Sequence, residues 1–174
     1  MRLVAHKQQA QAERTTLSTF EHRLDAALQH EDAVALALER LGYTVTHFGQ
    51  GQLSEAAREV LKAHDNPIRW MPDLLAVNLR HAVMVDAKFT AGRNYAIQTK
   101  AHEAHYSMAI ALGTPVVYVW GDMHANTWYQ VDQYADPYTG PECNGSGTPF
   151  KLMPAAYGQP LDIVMHNLTP KEQT

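Results

Sequence analysis

A chain of 174 residues, 45% of them hydrophobic, can bury a core as one domain, and its single cysteine, Cys143, excludes an intrachain disulfide and a cysteine-built zinc site. Fourteen lysines and arginines against eighteen acidic residues leave a net charge of -4, so no global electrostatic reason favours a polyanionic partner. The first residues hold no apolar core of signal-peptide length, and no later run approaches the ~18 apolar residues of a membrane span, so a soluble, cytoplasmic protein is expected.

Residues 1–16 are polar and without period, which reads as an N-terminal arm or a frayed helical turn, ahead of a single domain over 17–174. From Ser18, an N-cap with Glu21 three residues on, a helical period runs to Leu41 and stops at Gly42. Its apolar stripe collects Phe20, Leu24, Leu28, Ala35 and Leu38, and Glu31 falls inside that stripe, away from a solvated face. Residues 43–48 alternate as a strand that Gly49-Gln50-Gly51 breaks. A short exposed helix capped by Ser54 follows, as an insertion over 53–65. Two strands at 73–78 and 82–88 form a hairpin, with a loop at 90–94 and a second long helix over 95–112 closed by Gly113. The apolar run Thr114–Trp120 reads as a strand buried on both faces, with Tyr118, Val119 and Trp120 as core, and 126–134 as a further strand. Residues 135–174 form a loop-rich C-terminal extension with a short edge strand near Phe150–Met153. This order describes an α/β (α+β) fold, a central mixed sheet flanked by helices.

The hairpin carries the chemistry. Asp73 opens its first strand, while Asp86 and Lys88 close the second, projecting to one side roughly 6.6 Å apart along the chain as Val85 and Ala87 go to the other. A carboxylate and an amine leaving an apolar strand together are costly unless paired. A solvent-exposed pair at a sheet edge is the structural alternative.

Pro72-Asp73, Asp86-Ala87-Lys88 and the in-stripe Glu31, placed on this element order, resemble the PD-(D/E)xK nuclease superfamily, with its restriction-endonuclease-like core. Within it, residues 20–120 look most like the archaeal-type Holliday junction resolvases. The resemblance implies a metal-dependent endonuclease on branched or structured DNA, working as a homodimer. Asp73, Asp86, Glu31 and the backbone carbonyl of Ala87 would hold Mg²⁺, or Mn²⁺ in its place, supplying a nucleophilic water and charge neutralisation at phosphate. Lys88 would orient the water, take its proton if its pKa is lowered, or stabilise developing charge, and the residues leave these roles open.

Several basic and amide residues border this motif. Arg69 and Arg93 offer phosphate contacts, with Trp70 able to stack on a base or sugar. Gln98 and Lys100 lie where related nucleases often carry a glutamine or basic residue that touches site or phosphate. The Gln-x-x-x-Tyr pattern of the exonuclease branch is not met, because His102 stands four residues after Gln98. His102 and His105 share a helix face but lack the His-Glu-x-x-His spacing of zinc peptidases. Two other functions compete: a restriction-like or exonuclease-like enzyme of phage or plasmid type, and a non-cleaving DNA-binding module on the same fold.

Overall fold

The computed structural model of the chain describes residues 22, 24–64, 66–89, 92–138 and 149–168. The expected N-terminal arm and the Ser18–Glu21 cap lie outside them. Helix α1 occupies 24–40 and ends where Gly42 takes a φ of 87°. There follow β1 (Thr44–His47), α2 (Glu55–Ala63), β2 (Leu74–Val77), β3 (Ala82–Lys88), β4 (Asn94–Gln98) and α3 (Thr99–Leu112). The remaining elements are β5 (Val116–Trp120), β6 (His124–Thr127), α4 (Trp128–Tyr134), β7 (Asp136–Tyr138), β8 (Phe150–Pro154), β9 (Gln159–Pro160) and α5 (Leu161–Leu168). Short 3₁₀ turns lie at Gln50–Gln52 and Pro67–Trp70.

Every residue of β5 is buried, which places that strand inside a six-stranded sheet of order β1-β2-β3-β5-β6-β9. Strand β3 runs antiparallel to β2 and parallel to β5, so the sheet is mixed, as expected. Strand alternation then sorts β3 into two faces. Val83 and Val85, with Ala87 beside them, join Val34 and Leu38 of α1 and Val164 and Met165 of α5 in one apolar core. Met84 joins Tyr118, Trp120 and Ala101 of α3 in the other.

Four local expectations differ from the structure. Residues 95–98, expected as helix, are strand: Tyr95 and Ile97 are buried alternately and pair antiparallel with β8. This period of two is too short to announce itself ahead of a long helix, and tertiary pairing decides it. Strand β8 is accordingly the middle of a second sheet, β4-β8-β7, rather than an edge. Residues 128–134, expected as strand, are helix α4, begun by a capping box between Thr127 and Gln130. In α1 the buried line runs His30, Val34 and Leu38, leaving Leu24 and Leu28 about half exposed at 48% and 47%. A histidine enters that line because its Nε2–H donates to the carbonyl of Val119 at 3.2 Å.

Candidate active site

Leu74 pairs with Val85 across the hairpin, so one further step of register sets Asp73 opposite Asp86, on the α3 side of the sheet. The Asp73 carbonyl anchors the end of β1 by accepting from the N–H groups of Phe48 at 2.7 Å and Gly49 at 3.1 Å. A Cβ on Gly49 would lie 2.8 Å from the Asp73 Cα, so only glycine permits this approach. The Asp73 Oδ2 accepts from the Ala87 N–H at 2.9 Å. Asp86 is almost fully buried and holds the Lys88 Nζ at 2.5 Å through Oδ2. All three side chains open into one cavity of about 370 Å³.

The electrostatics follow from two carboxylates sharing a buried space with one ammonium. Burial, then Asp86, push the Asp73 carboxyl up to about 8, against the pull of Lys88 and the Ala87 N–H. Burial also opposes charge on Asp86, but Lys88, His105 and hydrogen bonds from Lys88 and Asp73 outweigh it and hold that carboxyl below its ordinary value. Burial disfavours the Lys88 ammonium, yet Asp86 and Asp73 more than compensate and raise its pKa. At neutral pH Asp73 therefore carries a proton towards an ionised Asp86 beside a charged Lys88. A hard divalent cation is the natural replacement for such a proton, because Mg²⁺ takes one or two carboxylates and completes its shell with water and phosphate oxygens.

The other sequence candidates are distributed differently. Glu31 reaches the sheet from the α1 side, where its carboxylate accepts from His47 Nδ1–H at 2.6 Å, and it acts on Asp73 through space. Among the described residues no three His, Cys, Asp or Glu side chains converge on one ion position. Arg69 lines the cavity and lays its guanidinium 4.4 Å over the Trp70 ring, and Gln98 lines it from the end of β4. Arg93 is exposed outside the cavity, its carbonyl accepting from Ala155 N–H. Lys100 lines a separate depression on the outer side of α3, next to Trp70 and Glu103.

A buried polar network beneath the site was not anticipated. His105 Nε2–H donates to the Trp70 carbonyl at 2.6 Å, and its Nδ1 meets the Tyr118 hydroxyl at 3.0 Å. That hydroxyl also lies 3.1 Å from His102 Nδ1, and His102 Nε2 approaches Asp132, which pairs with Lys151 at 2.7 Å. Burial lowers both histidine pKa values, that of His102 to about 4, so both rings are neutral at physiological pH. With the His105 proton on Nε2, its Nδ1 accepts from the Tyr118 hydroxyl, whose single proton cannot at the same time serve His102 Nδ1. The three-residue histidine spacing was the available signal. Its partner Tyr118 is sequence-distant, and only the β3–β5 pairing, which sets Tyr118 beside Asp86, brings them together.

No protein-family model matches the chain, and no curated protein matches its sequence. A solved structure does. The chain is similar to Archaeoglobus fulgidus Hjc, a Holliday junction resolvase from an archaeal hyperthermophile, with a TM-score of 0.51 and 14% identity over 80% of this chain and 98% of that one. At that identity the likeness establishes a shared fold, the mixed α/β sheet flanked by helices. Among the described residues no helix is long and apolar enough to cross a membrane.

Proposed function

We propose that this chain is a metal-dependent nuclease that hydrolyses phosphodiester bonds in DNA, with branched or structured DNA as substrate. The observation that carries the reading is the union of Asp73, Asp86 and Lys88 in one cavity, where burial and mutual repulsion keep a proton on Asp73. Asp73 and Asp86 would hold Mg²⁺ or Mn²⁺, with the Ala87 carbonyl at the same strand end and Glu31 acting directly or through water. An ion held there would supply a water of lowered pKa and neutralise charge on phosphate oxygens.

Lys88, held as an ammonium by Asp86 and Asp73, suits orientation of the water and stabilisation of phosphate charge better than removal of a proton. Arg69 at the cavity wall supplies a second cation for phosphate, while Arg93 and Lys100 would contact DNA beyond the cavity. The substrate and a homodimer with two sites on opposed strands rest on the shared fold and the motif resemblance.

The test is cleavage of four-way junction, flap, single-stranded and linear duplex DNA with Mg²⁺ or Mn²⁺. Asp86→Asn should lower the rate at least ~10³-fold, about 4 kcal/mol of barrier, while the protein stays folded. Lys88→Met should follow it. Cleavage surviving both substitutions would overturn the assignment, and binding without cutting under either metal would replace the enzyme with a DNA-binding module.

A further inference from the structure

We infer that the cavity beside Asp73 and Asp86 is built to receive an unpaired nucleobase next to the scissile phosphate, so that the substrate is DNA with an unstacked nucleotide at the cut. This rests on the nuclease reading above and names the feature of DNA that the site selects. A site that only tracked a duplex backbone needs cations along a groove. Here the described cavity wall carries two, Arg69 and Lys88, in a chain of net charge -4. What the wall carries instead is aromatic surface and carboxamide.

Phe150 lines the cavity with an aromatic ring on which a base can stack, and Trp70 lies beside it with one face carrying the Arg69 guanidinium. Gln50 and Gln98 add two side chains that each both donate and accept, as needed to meet a base edge. The backbone that carries both amides is fixed relative to the carboxylates. Gln50 follows Gly49, whose N–H is bonded to the Asp73 carbonyl, and Gln98 stands opposite Phe150 in the β4–β8 register. A volume of about 370 Å³ lies within the ~300–1,000 Å³ range of pockets that enclose a small molecule. The wall formed by Phe150 comes from the second sheet, so the C-terminal extension completes the pocket rather than decorating the fold.

The experiment compares cleavage rates of the full chain in Mg²⁺ on a perfect duplex and on the same duplex with one unpaired 2-aminopurine beside the cut position, following the probe's fluorescence in parallel. The unpaired substrate should be cut at least about tenfold faster, with its emission quenched on binding as the base stacks. Phe150→Ala, and Gln98→Ala should Phe150→Ala not fold, should reduce the ratio of the two rates to near one and remove the quench. Equal rates on both substrates, or a ratio unchanged in Phe150→Ala and Gln98→Ala, would overturn the pocket while leaving Asp86-dependent cleavage intact. Loss of all Asp86-dependent cleavage would instead remove the nuclease reading and this inference with it.

Discussion

On one side of β3, Val83 and Val85 meet Val34 and Leu38 of α1 in a hydrophobic core. One residue along, on the other side, Asp86 and Lys88 face Asp73 and lie above His105 and Tyr118, joined by an ion pair and hydrogen bonds. The same seven-residue strand thus holds the sheet together with one half of its side chains and assembles a charged site with the other. Like charges directly opposed across a hairpin are destabilising. They are tolerated at Asp73 and Asp86 because the apolar face supplies the stability and because Lys88 and a retained proton offset the repulsion.

Substitution on the apolar face gives the largest separation of the two. Leu38, fully buried at the end of the His30–Val34–Leu38 line, should cost about 2–5 kcal/mol of stability when replaced by alanine. Cleavage per folded molecule should stay within about threefold, because the Asp73, Asp86 and Lys88 side chains lie on the opposite face of the sheet. Denaturant melts beside initial rates measure both, and a large loss of rate in Leu38→Ala with stability unchanged would break the division between faces.

The polar face should reveal its cost through pH. A carboxyl raised to about 8 in the folded chain, from the ordinary value near 3.9 when unfolded, binds more protons folded than unfolded across that interval. Its contribution is therefore present at low pH and is lost as pH rises from about 4 through 8. In chelator, wild type should lose stability relative to Asp73→Asn progressively over that window. Mg²⁺ should restore more stability at pH 8 than at pH 6, since the ion competes with the proton. Parallel pH profiles for wild type and Asp73→Asn would show that Asp73 keeps its ordinary carboxyl pKa in the folded chain.

Much of this was legible along the chain, and unevenly. The hairpin was readable because alternation over seven residues, with Asp86 and Lys88 breaking an apolar run, is a strong local signal. The buried strand β5 was readable for the same reason. Strand β4 was not, because Asn94–Gln98 owes its state to pairing with β8, more than fifty residues later. The position of Glu31 was visible as an acid in a helical stripe, but its hydrogen bond to His47 depends on how α1 crosses β1, which no period encodes. His102 and His105 presented a metal-like spacing whose actual partner, Tyr118, sits on the strand beneath them.

The smallest effect is expected at that tyrosine, and it tests whether the network belongs to the stability of the fold or to the geometry of the site. Tyr118→Phe keeps the stacked ring and removes the hydroxyl that joins His102 to His105, leaving two buried ring nitrogens to find other partners, at about 1–2 kcal/mol. His105 also holds the Trp70 carbonyl, two residues before Pro72-Asp73, so a ring freed of its Nδ1 partner loosens the segment that delivers Asp73. Cleavage should then fall about three- to tenfold, in kcat more than in KM, because the Asp73 carboxylate is displaced while the remaining cavity wall is kept. A melt shifted by this amount with kcat unchanged would make the network purely a filling for the α3 core. A fall in kcat with an unshifted melt would place it wholly on the side of the site.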